Sequence, residues 1–266
     1  MRKGTSIFLR VRNEAKTLKL ALQAASYLGD EIVFVDNCST DNSFEIAEQF
    51  KQENKEKKII NVKFEYDSKL REATLSDLYN YALSYTTGKW IIKWDGDLYL
   101  DECSCEKVKN AIKKYDENEK VDGLYLSNRV VYNNFQYVSK QLGSEMAILK
   151  WRPGLIYTDN HANKEIQVGE EIYKPLQYFL ANDILYNPIV WHLRFKNSEQ
   201  FMRSRLTLEF YSKKIPISFE EFFKQSLNEK TFDELQHEYL RNSIEEYNEQ
   251  KHGKIPQILK DFFEIK

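Results

Sequence analysis

The sequence predicts an α/β fold, a sheet flanked by helices, with a helical extension at its C-terminal end. Three observations point there. Short apolar strands alternate with amphipathic helices through the first hundred residues, polar acidic segments follow the second and fourth strands, and the pattern after Ser198 turns helical and charged.

Taken in order, Ser6 to Arg12 reads as the first strand. Asn13 then reads as the N-cap of a helix carrying Leu18, Leu22 and Ala25 on one face. Glu31 to Val35 forms a second strand ending at Asp36. The polar loop Asn37, Cys38, Ser39, Thr40, Asp41, Asn42 leads into a helix with Phe44, Ala47 and Phe50 on its inner face, and Lys51 to Lys58 reads as the solvated end of that helix.

Val62 to Tyr66 is the third strand expected, and Thr74 to Tyr85 a helix with Leu75, Leu78, Tyr79, Ala82 and Leu83 aligned, stopped by Gly88. Trp90 to Trp94 is apolar apart from Lys93 and runs straight into Asp95, Gly96, Asp97. Beyond a helix near Cys105 to Tyr115 the pattern becomes α+β. Leu124 to Val138 reads as two strands around an Asn133, Asn134 turn, and Glu145 to Trp151 as another. In the last segment Thr231 to Glu234 reads as a capping box, with Pro216 and Pro256 as breaks.

The 266 residues are 42% hydrophobic and 14% aromatic, enough to bury a sizeable core. A net charge of -2, from 39 basic and 41 acidic residues spread along the chain, gathers no nucleic acid, so none is expected as partner. No apolar run approaches bilayer length and the first residues enter a strand rather than a signal segment, which predicts a cytoplasmic protein. Cys38, Cys103 and Cys105 are too few ligands for a structural zinc and read as reduced thiols.

The chemistry concentrates on two strand ends. Asp95 and Asp97, separated by one small residue, can share a hard cation, Mg²⁺ or Mn²⁺, that keeps positions open for phosphate oxygens. An isolated pair of this kind is usually a turn, but this one follows a buried strand. A second acidic loop, Asp36 to Asp41, ends another strand of the same sheet. Asp36 can accept a hydrogen bond from a base N–H, whereas Asn37, Ser39 and Asp41 suit either a ribose or the cap of the next helix.

Three runs together carry a resemblance: Arg12, Asn13, Glu14 and Ala15 after the first strand; Phe34, Val35, Asp36, Asn37, Cys38, Ser39, Thr40 and Asp41; and Lys93 to Asp97. In these the chain resembles the family 2 glycosyltransferases of the GT-A fold, a mixed sheet flanked by helices. The likeness implies a domain over residues 1–197, with a nucleotide-binding half at 1–100 and an acceptor half at 101–197, followed by the helical extension at 198–266.

It further implies a nucleoside-diphosphate sugar donor, most often UDP-linked, a glycan or lipid-linked acceptor, and transfer with inversion. Arg12, Asn13, Glu14, Asp36, Asn37, Asp41, Lys93 and Asp95 would surround the nucleotide. Asp95 and Asp97 would meet the metal, with His192 of Val190, Trp191, His192, Leu193, Arg194 as a third metal or phosphate ligand, or else a structural histidine.

Inverting transfer needs a base for the acceptor hydroxyl. Glu165, Glu170 and Glu171 are the candidates, one of them expected, with Asp159 in the same stretch. Trp151 and Tyr157 are candidate sugar-stacking residues. The C-terminal helices, with Phe219, Phe222 and Phe223 or Leu259, Phe262 and Phe263, offer a face for core packing, for a homodimer or for peripheral membrane contact.

The rivals are a sugar nucleotidyltransferase and a non-catalytic sugar-nucleotide-binding or interaction protein of the same fold. The first normally carries a Gly-rich loop after its first strand, where this chain has Arg-Val-Arg-Asn-Glu. Neither G-x-G-x-x-G nor G-x-x-x-x-G-K-[ST] occurs, which argues against dinucleotide dehydrogenases and P-loop enzymes.

Overall fold

The structure is a computed structural model that describes residues 2–65, 75–118, 121, 123–132, 135–157, 166–168, 171–173, 189–193, 206, 216–227, 231, 234, 238 and 240–265. The chain divides into two compact units. One joins Met1–Arg129 to Leu142–Leu193, and the other joins Val130–Gln141 to Arg194–Lys266.

In the first unit the elements follow as β1 (Thr5–Val11), α1 (Leu18–Leu28), β2 (Glu31–Asp36), α2 (Ser43–Glu53), β3 (Lys58–Lys63), α3 (Leu75–Ser84), β4 (Trp90–Asp95), β5 (Leu98–Tyr99) and α4 (Glu102–Tyr115). Then come β6 (Gly123–Tyr132), which continues into the second unit, β7 (Tyr137–Ser139) of that second unit, and β8 (Gly143–Lys150). The first unit closes with β9 (Leu155–Tyr157), β10 (Ile166–Val168), β11 (Glu171–Tyr173) and β12 (Ile189–Leu193).

β1 lies parallel between β2 and β4, β3 extends the parallel set from β2, and β8 joins β4 antiparallel with β6 beyond it. The sheet is therefore mixed. Its parallel strands are apolar on both faces because helices cover both. Phe8, Val33, Val35 and Ile91 pack with Leu78, Tyr79, Ala82 and Leu83 of α3, while Phe34, one residue out of step, meets Phe44 of α2 at a ring separation of 6.3 Å. The chain winds outward from β1 to β3 and returns on the other side of β1 as β4, so the strand order reverses between β1 and β4. A crevice at the carboxyl ends of such a reversal is where open α/β sheets take ligands.

Several boundaries differ from the sequence reading for physical reasons. α1 starts at Leu18 behind Thr17, not behind Asn13, whose φ of 58° is left-handed and belongs to a loop. β3 starts at Lys58, four residues before Val62. As the edge strand it keeps Lys58 and Lys63 in water, which gave it the look of a helix end. Lys58 in fact meets the buried Glu31.

The second unit has its own core of Tyr132, Leu206, Phe223, Leu240 and Ile244, against which Phe222 and Tyr137 pack. Its described helices are α5 (Phe219–Leu227), α6 (Glu249–His252) and α7 (Gln257–Phe262). The segment is not wholly helical, since β13 (Ile244–Glu246) pairs antiparallel with β7. The capping box forms as expected. Glu234 N donates to Thr231 Oγ1 at 3.3 Å, and Thr231 N donates to Glu234 Oε2 at 2.8 Å. Phe223 and Leu259 are buried, whereas Phe262 is 41% exposed. No helix among the described residues is long and apolar enough to cross a membrane.

Candidate functional site

The parallel register brings the acidic strand ends together. Val11 pairs with Asp36 and Arg10 with Asp95, so the two acids flank the end of β1 from either side. With strands about 4.8 Å apart, their backbones stand about 10 Å from each other across β1. Asp36 is 4% exposed. Its Oδ2 accepts from Ser39 N at 3.3 Å, and its Oδ1 is buried with no hydrogen-bond partner among the described residues. A buried acceptor left open is costly, which suits a position reserved for a ligand donor.

β4 turns at Gly96 into the two-residue β5, and this turn places Asp97. β12 pairs antiparallel with β5, His192 opposite Leu98, while Leu193 N donates to Asp97 O at 2.7 Å. The pairing carries His192 Nε2 to 3.0 Å from Asp97 Oδ2, across 95 residues of sequence. Both side chains are largely buried, at 16% and 11% exposure. Of the expected metal group, Asp97 and His192 are thus brought into contact, with Asp95 two residues before Asp97. Among the described residues no cluster of three or more His, Cys, Asp or Glu forms a preassembled metal site. Next to Asp97, burial pushes the Tyr99 phenol upward, so it stays protonated and acts as no base.

The other expected nucleotide contacts form a bridge between two loops. Asn13 Oδ1 accepts from Thr40 N at 2.7 Å, and Ser39 Oγ accepts from Asn13 N at 3.0 Å. Asp41 is engaged through both oxygens: Oδ1 accepts from Ser43 N at 3.0 Å and Ser43 Oγ at 2.6 Å, and Oδ2 from Ala15 N at 3.1 Å. These bonds anchor the loop to the start of α2, whose N-cap residue is Asn42. Glu14 N donates to Ser43 Oγ at 3.0 Å, and Asn37 N to Val11 O at 2.8 Å. Arg12 is exposed at the rim, and Lys93 is 4% exposed below it on β4.

Of the candidate bases, Glu165 and Glu170 lie outside the described residues, as does Asp159, and Glu171 is described only as backbone of β11. Tyr157 is 8% exposed in the core beside Phe8 and Tyr79, its backbone clasped by Asn80, and Trp151 sits past Lys150, the partner of Trp90, at the amino ends of the strands.

Sequence reasoning missed Thr17 and Ser43 as parts of this framework, and did not single out Arg10. The buried Thr17 donates its hydroxyl to Gly96 O at 2.9 Å, tying α1 to the turn between the two acids. Its signal was a Thr directly before the apolar helix face. Ser43 had the same signal at α2. Arg10 carried a weak signal, since a basic residue near a strand end can pair with a phosphate but is commonly a solvated stem.

A family model described as Glycosyl transferase family 2 matches residues 6–168. None of the curated proteins compared matches the sequence. Among solved structures, the chain is similar to S. aureus TarS 1-349 at 22% identity, covering 50% of this chain and 36% of that one with a TM-score of 0.36. It is also similar to mannosyltransferase PcManGT from Pyrobaculum calidifontis in complex with GDP-Man and Mn²⁺, at 18% identity, 50% and 37% coverage and TM-score 0.38. A third is glucosyl-3-phosphoglycerate synthase from Mycobacterium tuberculosis with Mn²⁺, uridine-diphosphate and phosphoglyceric acid, at 16% identity, 50% and 45% coverage and TM-score 0.34. The chain spans less than half the length of each of these structures.

Proposed function

The chain belongs to glycosyl transferase family 2, and from that premise we propose that it moves a sugar from a nucleoside-diphosphate sugar to a hydroxyl acceptor with a divalent cation at its carboxyl rim. The observation that carries this reading is that Asp36 and Asp95 end β2 and β4 on either side of β1, with the Asp97–His192 pair just beyond β4, at the strand-order reversal. Asp36, with one buried oxygen open, is suited to receive a base N–H such as that of uracil. Arg12, Asn13, Glu14, Asn37, Asp41 and Lys93 are proposed to shape the rest of the nucleotide cleft, Asp41 through the loop it anchors.

The residues fit a hard cation. Asp97 and His192 offer one carboxylate oxygen and one imidazole nitrogen at the same point, and Asp95 precedes Asp97 by two residues. So few protein donors leave positions for diphosphate oxygens and water, which is how Mg²⁺ and Mn²⁺ are commonly held in phosphate chemistry. When bound, the cation supplies Lewis-acid stabilisation of the leaving diphosphate. To ligate, His192 must present an Nε2 that carries no proton.

One acid among Glu165, Glu170 and Glu171 is proposed as the base that takes the acceptor proton, which implies inversion. A glycan or lipid-linked alcohol is the acceptor class, in the cytoplasm or at a membrane surface. Residues 1–197 are proposed as the transferase domain, and the extension at 198–266 as a homodimer or membrane-facing element.

Calorimetric titration of UDP, GDP and dTDP, with and without Mn²⁺, tests the donor reading on the wild type and on Asp97→Ala. Metal-dependent binding of one nucleotide, lost in the variant, is expected. Binding of none would remove the donor reading and favour a non-catalytic relative.

A further inference from the structure

The two acids of the Asp95-Gly96-Asp97 triplet have different companions. Asp97 faces His192, whereas Asp95 Oδ1 lies 3.5 Å from Arg10 Nη2, each side chain about a quarter exposed, at 23% and 24%. Arg10 and Asp95 are register partners on adjacent parallel strands, so their side chains leave the same face of the sheet. On that face the Arg10 guanidinium rests on Tyr79, with Cζ 4.5 Å from the ring centroid. Tyr79 is 3% exposed and wedged against Phe8 and Tyr157, with ring separations of 6.1 and 4.8 Å. A planar cation seated on a fixed ring keeps its direction, and a guanidinium stays charged at any working pH.

We propose that Arg10 is a positioning residue of the donor site: it orients the Asp95 carboxylate and offsets its charge, so that the triplet accepts a diphosphate and not merely a cation. The proposal rests on the donor reading above. Two carboxylates one residue apart attract a divalent cation unaided but repel an anionic diphosphate. A cation fixed against one of them acts with opposite sign on the two ligands: it weakens the hold on bare metal and strengthens the hold on metal-bound nucleotide. A merely structural arginine would move both affinities together.

The test titrates Mn²⁺ alone, and UDP or GDP in saturating Mn²⁺, into the wild type, Arg10→Met and Arg10→Lys. Arg10→Met is expected to lose about tenfold in nucleotide affinity while its affinity for Mn²⁺ alone holds or rises, and Arg10→Lys, which keeps the charge but not the planar seat on Tyr79, to fall between Arg10→Met and wild type. A parallel fall of both affinities in Arg10→Met, or an unchanged nucleotide affinity, would overturn the proposal. If the wild type binds neither nucleotide, the donor reading fails separately. The Arg10–Asp95 coupling is then read from the melting temperatures of ligand-free Arg10→Met, Asp95→Asn and the double variant. A double variant less destabilised than the two singles combined supports the coupling, and strict additivity overturns it.

Discussion

At Gly96 a side chain would be tight, since a Cβ there would stand 3.1 Å from both Glu14 Cβ and Val11 Cγ2, and a neighbour would have to give by a few tenths of an ångström. The middle residue of the triplet is therefore set by the approach of the β1 loop to the β4 turn. Gly96→Ala should cost about 1–3 kcal/mol of stability by overpacking and shift the acids on either side. A thermal melt checks the first effect, and a nucleotide titration showing weakened binding checks the second. The cysteines divide by burial in the same local way. Cys38 and Cys103 are exposed, while burial, then Asp101, push the Cys105 thiol up to about 12. At pH 8 a thiol-reactive dye should label two cysteines of the folded protein promptly and Cys105 only on unfolding, as the thiolate is the reactive form.

At the scale of elements the two ends of the sheet do different work. The carboxyl ends carry the acids of the site, and the amino ends are tied by polar bonds among β1, β2, β3 and β4. Glu31 is 4% exposed at the start of β2. It accepts from Ser6 Oγ at 2.6 Å, from Thr87 N and Oγ1 at 2.8 Å each, and pairs with Lys58. Burial by itself raises its pKa, but Lys58, Ser6 and Thr87 outweigh burial, so the carboxyl is held below its usual value. The stability it contributes is whole above the unfolded-state value of about 4.3 and fades as pH falls through the lower folded-state value. Glu31→Gln should cost about 1–3 kcal/mol near neutral pH, by leaving buried partners unmatched, and should flatten the acid limb of stability. Urea denaturation as a function of pH measures both. Close by, Lys150 Nζ donates to the Tyr115, Asp116 and Asn118 carbonyls at the end of α4, the position where a helix favours a cation.

At the scale of the whole molecule, each unit has a core of its own. Phe223→Ala, at a side chain 2% exposed, should cost about 3–5 kcal/mol, read as lost hydrogen-exchange protection at β13 amides, whose residue Ile244 shares that core. Much of the first unit was legible because its physics is local. Buried parallel strands read as apolar runs, helices as 3.6-residue periods, and Asp36, Asp95 and Asp97 as acids ending such strands. The edge strand β3 was misplaced because an exposed strand lacks that signature. Asn13 was misassigned because its partners, Ser39 and Thr40, come from another loop. Glu165, Glu170 and Glu171 remained sequence candidates. By itself the sequence determined the alternation of strand and helix, the sites of the acids and the family. Tertiary structure alone decided that Asp36 keeps a buried oxygen open, that Asp97 meets His192, and that Asp95 meets an arginine seated on Tyr79. Those contacts depend on strand register and on pairing across long stretches of chain, and no local pattern of residues encodes a partner 95 positions away.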